Sequence, residues 1–143
     1  MPQISRDFEV KGPLPSVWKA LNDPNVLGAC VPGCEQVSVI SDVESRWKVK
    51  ISVGVIARRI DAKAKVIQRR EPNQLAIKIE SVDGDINGEF HLDLSEKAQN
   101  ATQVKFAANL DAKGPFQWIV NQVIKNQLDG FVNQFANCIS SKV

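Results

Sequence analysis

Histidine is the usual proton carrier near neutral pH, and this chain has one, His91. It falls in a run where Ile86, Gly88, Phe90, Leu92 and Leu94 alternate with Asn87, Glu89, His91 and Asp93. The alternation puts His91 on the wet face of a strand, away from its apolar neighbours. No Ser-His-Asp arrangement can be assembled without it, and Tyr is absent. Most Asp and Glu side chains fall in loops or on polar strand positions, so convergent acid–base chemistry is not expected. Cys30 and Cys34 are four apart across a Pro-Gly turn, a spacing open to a metal or a disulfide. Structural zinc needs four ligands, and Cys138 and a wet-face His91 do not complete the set. No metal and no cofactor are therefore expected. Asp83-Gly84-Asp85 and the Gly-Pro pairs are turns, and no phosphate-binding glycine loop is present.

What remains is apolar chemistry, and the pattern of elements says how it is positioned. Gln3 to Val10 reads as a strand, ended by Lys11-Gly12-Pro13. Pro15 to Leu21 reads as a short helix with Val17, Trp18 and Leu21 on its apolar face. Asp23 caps a second brief helix with Pro24 at its first position, closed by Val31-Pro32-Gly33. Six period-2 segments follow. Gln36 to Ile40 is weak. Trp47, Val49, Ile51 and Val53 alternate with Lys48, Lys50 and Ser52. The same rhythm runs through Arg59 to Gln68, Leu75 to Glu80, Ile86 to Leu94 and Val104 to Leu110. Such alternation marks an antiparallel sheet with one buried and one wet face.

After Gly114-Pro115 the period becomes helical from Phe116 to about Ser140, a helix of roughly 37 Å. A sheet with one apolar face must bury it, and this helix is the available cover. The expected fold is α+β: a curved seven-stranded antiparallel sheet, two short helices after strand one, and a long C-terminal helix closing a cavity. The whole chain, 1–143, reads as one domain. Small residues Ala62, Ala64, Gly88 and Ala108 on the inward face leave volume for that cavity, with dense aromatic packing as the alternative.

Ligand pockets are mostly apolar, with a few placed polar groups. The lining candidates from the sheet are Trp47, Val49, Ile51, Ile77, Phe90 and Phe106. From the helix they are Val120, Val123, Ile124, Gln127 and Phe131. Gln127 either offers its amide to a ligand carbonyl or sits exposed at the edge of the stripe. Phe116, Trp118 and Ile119 cannot all be buried by one helical face. Phe116 and Trp118, with Val55 and Ile56 in the apolar Val53–Ala57 connection, are candidates for a pocket mouth, a partner contact or a transient membrane contact.

The composition agrees with a folded domain: 43% of residues are hydrophobic and 24% charged, which argues against disorder. A net charge of +2, with scattered basic residues, does not point to nucleic acid. Lys63, Lys65, Arg69 and Arg70 form the densest basic group and read as a solvated sheet face. The odd cysteine count, the polar N-terminus and the lack of an 18-residue apolar stretch place the expectation in the cytoplasm, without a transmembrane anchor.

The order β-α-α-β6-α resembles the START-like, helix-grip superfamily. Asp23-Pro24-Asn25-Val26-Leu27-Gly28-Ala29-Cys30-Val31-Pro32-Gly33-Cys34 looks like the D-P-x-x-L-x-x-C-x-P-G stretch of the carbon monoxide dehydrogenase G-subunit family. Pro15–Leu21 looks like that family's first helix, and Trp47–Ile56 like its glycine-ended third strand. In the family motif the first cysteine lies at a packed helix-to-loop junction, which implies a buried small side chain at Cys30; Cys34 is left open. The resemblance further implies binding of apolar ligands such as quinones or lipids, without catalysis. It also implies a molybdenum hydroxylase as protein partner, and membrane recruitment of that enzyme. Cyclases and hydrolases of the same superfamily supply a third reading.

Overall fold

The computed structural model describes residues 3–143, the side chains of Pro115 and Phe116 excepted. The expectation for Phe116 therefore lies outside the described residues. The elements run β1 (Gln3–Lys11), α1 (Leu14–Leu21), α2 (Pro24–Cys30), β2 (Cys34–Val39), β3 (Glu44–Val53), β4 (Ile56–Arg70), β5 (Gln74–Ser81), β6 (Ile86–Ala98), β7 (Ala101–Ala112), α3 (Pro115–Asn126) and α4 (Leu128–Lys142). All seven strands form one antiparallel sheet in the order β1-β7-β6-β5-β4-β3-β2. The two short helices between β1 and β2 thus carry the chain from one edge of the sheet to the other. This is the α+β architecture expected from the alternation, and the helix-grip arrangement that the resemblance implies.

Local chemistry explains the joints. Asp23 accepts a hydrogen bond from the Asn25 amide and caps α2, with Pro24 at the first helical position. Gly33 has φ +84°, and a Cβ there would overlap the Lys50 carbonyl oxygen, so the α2–β2 turn needs glycine. Its carbonyl accepts from the Lys50 amide at 2.8 Å, which binds the turn to β3.

The core lies where the covered face of the sheet meets α1 and α4. Val10, Val17, Leu21, Val104 and Ile139 are completely buried there, joined by Trp18, Leu75, Leu92 and Leu94. Polar groups at this core are paired, as where Thr102 Oγ1 donates to the Gly12 carbonyl at 3.0 Å; elsewhere Asn109 Oδ1 is buried without a partner. Trp18 Nε1 donates to Glu71 Oε1 at 3.2 Å.

The helical period after Gly114 is present, but it is divided at Gln127, whose φ of −125° and ψ of −9° leave the helical region. The two halves are tied to different strands. Gln127 Nε2 donates to the Ser52 carbonyl at the end of β3 (3.4 Å), while Asp129 accepts from Arg6 Nε on β1 (2.9 Å). A straight helix follows one line, and these attachments lie on opposite sides of the sheet.

The cysteines also differ from expectation. Cys30 is buried, at 5% exposure, but as half of a disulfide with Cys138, which staples α2 to α4. The pairing is between the first and third cysteines, not between Cys30 and Cys34. It also removes the odd-cysteine argument for a reducing compartment. Cys34 is free, and burial pushes its thiol pKa up, which favours the unreactive protonated form.

Candidate functional site

The covered face of the sheet has two unlike halves. At the α4 end, Leu75, Leu92, Leu94 and Val104 are buried under Leu21, Val17 and Ile139. Towards α3, the same inward register carries Trp47, Val49, Ile51, Ile77, Ile79, Phe90 and Phe106, all still partly exposed. Apolar side chains in core register that remain partly exposed mark surface that the fold itself does not fill.

All six sheet candidates therefore share one face. Ring centroids of Phe90 and Phe106 are 5.7 Å apart, and the tilted pair crosses β6 and β7. Trp47 lies opposite Ala62 on β4, so that alanine makes room for the indole, and Trp47 Nε1 donates to the buried Ser45 Oγ at 2.8 Å. Part of the volume left by small residues is thus occupied by tryptophan. A cleft of about 40 Å³ remains beside it, bordered by Trp47, Ala64, Val66, Leu75 and Ile77 and by the loops at Asn22 and Asp42. That suits a few water molecules and is too small for a quinone or a lipid chain.

Over the open half lies α3, which contacts β3 and β7. Val120 is buried on it, and Val123, Ile124 and the junction residue Gln127 are partly exposed. Phe131 falls on α4 and is also partly exposed, while Trp118 is 49% exposed and its neighbour Ile119 is buried at 2%. The side-chain amide of Gln127 is engaged by the Ser52 carbonyl, so its role here is to tie the α3–α4 junction to β3. Val55, at the β3–β4 turn, is fully exposed, and Ile56 beside it is 39% exposed.

Charged side chains in the inward register were not anticipated: Arg6, Arg69 and, opposite Ile51, Arg58. Arg6 lies opposite Phe106, and its guanidinium pairs with Asp129 of α4. The clue was available: Arg6 is in phase with Ile4, Phe8 and Val10. Arg69 faces the same side as Leu75 because a β-bulge between Val66 and Gln68 shifts the register by one. It donates to Asn22 Oδ1 (2.8 Å) and the Asp42 carbonyl (3.1 Å), joining the α1–α2 and β2–β3 turns across the small cleft.

His91 is on the outer face, exposed, with Nε2 3.4 Å from Glu89 Oε2. The carboxylates with displaced pKa values are also outside. Hydrogen bonds hold Glu9 (from Lys97), Asp61 (from Arg46) and Asp83 (from Ser81) below the usual carboxylate range. Lowered carboxylates are poor general bases near neutrality. Among the described residues no cluster of three or more His, Cys, Asp and Glu side chains could hold a metal. No helix among them is long and apolar enough to cross a membrane.

No curated protein matches the chain in sequence. Solved structures match its fold. A conserved protein from Geobacillus kaustophilus superposes with a TM-score of 0.81 at 22% identity, over 98% of this chain and 96% of the other. A START superfamily protein from Mycobacterium smegmatis gives 0.74 at 13% identity, over 99% and 96%. Norcoclaurine synthase from Thalictrum flavum, in complex with a transition-state analogue, gives 0.66 at 18% identity, over 98% and 92%. The family model for the carbon monoxide dehydrogenase G-subunit (CoxG) matches residues 7–143.

Proposed function

Since the chain belongs to the carbon monoxide dehydrogenase G-subunit (CoxG) family, we propose that it binds and carries an apolar small molecule between the sheet and α3, and does not transform it. One observation carries this reading. A single sheet face is packed under α1 and α4 at one end, yet leaves aromatic and aliphatic side chains partly exposed towards α3. A flat apolar ligand, quinone-like or lipid-like, would complete the second half as α1 and α4 complete the first. Burial of about 200 Å² of its surface would contribute about 5 kcal/mol at the usual apolar coefficient. Entry would require α3 to shift, since its Ile119 and Val120 are buried and the helix contacts β3 and β7.

Native mass spectrometry of freshly purified protein, with solvent extraction, tests this directly. A stoichiometric apolar adduct is the expected result, and so is saturable binding of a short-chain quinone or a fatty acid by stripped protein. A clean apo mass with no binding of either would reject the carrier reading.

A second reading is an accessory subunit that contacts a molybdenum hydroxylase, favoured by the exposed Trp118 and by the family's own name. Co-purification of a large enzyme, lost on Trp118→Ala, would distinguish it; the cytoplasm would suit either role. A catalytic reading draws on norcoclaurine synthase, which shares the fold. Of the inward-facing charges it could use, Arg6 is already paired with Asp129, and Arg69 is held by Asn22 and the Asp42 carbonyl.

A further inference from the structure

Three arginines lie in the inward register of the sheet, and the fold supplies partners for two of them. Arg6 is paired with Asp129, and Arg69 is held by Asn22 Oδ1 and the Asp42 carbonyl. Arg58 is different. Across the β3–β4 ladder it lies opposite Ile51, and Ile56 and Ile60 are its same-face neighbours along β4. Among the described residues its guanidinium makes no ion pair. It donates only weakly, to the adjoining Ala57 carbonyl at 3.4 Å. Arg59, the next residue and on the outer face, is by contrast paired with Glu35.

The helices that cover this face do not provide the missing anion. α3 has no acidic side chain, and α4 has only Asp129, which Arg6 already engages. Arg58 stands at one end of the open half. The neighbouring cross-strand pair, Ser52 and Ala57, is where Gln127 ties the α3–α4 junction to β3. From there the partly exposed row Ile51, Val49 and Trp47 runs along β3 for about 13 Å at a strand's rise, roughly the length of an extended ten-carbon chain. The result is an apolar trough with a positive end.

We propose that Arg58 is a specificity-determining residue of the carrier site, holding the anionic head, carboxylate or phosphate, of a single-chain amphiphile whose alkyl chain lies along the trough. A guanidinium offers two parallel N–H donors that match either head in a forked, charge-assisted pair. Its stem can lie along Ile56 and Ile60 while the charge stays at the rim. A neutral ligand of the same length would fill the trough and leave those donors to water. The inference rests on the carrier reading and narrows it, from apolar molecules in general to acidic amphiphiles.

Displacement of N-phenylnaphthylamine, a neutral apolar fluorophore, from the full chain tests it. The competitors are decanoate, decyl phosphate and decanol, which share a chain and differ in the head. For wild type, at least one anion should compete roughly tenfold better than decanol, and the better of the two names the head. Arg58→Gln should erase that advantage. It should leave decanol and the thermal midpoint unchanged, because the side chain is exposed. Lys50→Gln removes the same charge from the outer face, opposite Arg59, and should keep the advantage. Equal competition by anions and decanol in wild type would overturn the proposal. So would an advantage that survives Arg58→Gln, or one lost equally in Lys50→Gln, since surface charge alone would then explain it. If the fluorophore does not bind, or no competitor displaces it, the carrier reading itself is rejected and this proposal with it.

Discussion

α3 and α4 continue one helical period over one sheet face, yet they do different work. α4 is part of the core. Ile139 and Ala136 are buried, Phe135 meets Phe8 edge-on at 6.0 Å, Ser140 Oγ accepts from the Lys11 amide, and Cys138 is bonded to Cys30. α3 buries Ile119 and Val120 but leaves Trp118 in solvent and the apolar sheet beneath it partly exposed. The difference teaches that packing and ligand capture compete for the same kind of surface. Where α1 and α4 cover the face it is fully buried; where α3 bridges it the apolar side chains stay partly exposed and the anchoring is weaker.

The largest expected effect comes from removing the anchor. The disulfide closes a loop with a sequence separation of 108, so Cys138→Ser should cost about 4 kcal/mol of unfolding free energy, measured by urea denaturation without reductant. A loss no greater than that of an exposed-site control would mean that α4 does not need the staple. Ile139→Ala, at a completely buried site, should cost about 3 kcal/mol and shift the denaturation midpoint accordingly. Phe90→Ala, on the open half, should cost only about 1–2 kcal/mol, because the ring is already partly exposed. It should instead weaken binding of an apolar probe by roughly tenfold in a fluorescence titration. Equal stability losses at Ile139 and Phe90 would erase the contrast between the two halves. Trp118→Ala should change stability by less than about 0.5 kcal/mol.

The smallest effect is electrostatic. Glu9, Asp61 and Asp83 have folded-state pKa values below their unfolded ones. The stability they contribute is complete above the ordinary carboxylate range and is lost as pH falls through the lowered values. All three are on the surface, so a thermal midpoint followed below pH 4.5 should decline slightly. Asp61→Asn should flatten that decline a little; an unchanged profile would show that the Arg46 pair adds nothing.

Much of the site was legible before the fold was known. Trp47, Val49 and Ile51, or Phe90 and Leu92, are assigned to one face by period alone, because successive strand side chains must point to opposite sides. The bulge after Val66 is where that logic fails: one extra residue turns Arg69 inward, and nothing in Gln68-Arg69-Arg70 signals it. Arg6 was readable by phase, but a cation on an inward register has no meaning until Asp129, 123 residues away in sequence, is seen to meet it.

The sequence by itself determined the strands, the two short helices, the cap at Asp23, the turn at Gly33 and the face to which each strand residue belongs. These follow from interactions within a few residues, where steric and hydrogen-bonding preferences act directly. Only the tertiary structure decided that Cys30 finds Cys138, that the last helix breaks at Gln127, and that one half of the apolar face is fully buried while the other stays partly exposed. Each depends on how far apart β1 and β3 come to rest across the curved sheet, a distance set by the packing of all seven strands and encoded in no local run of residues.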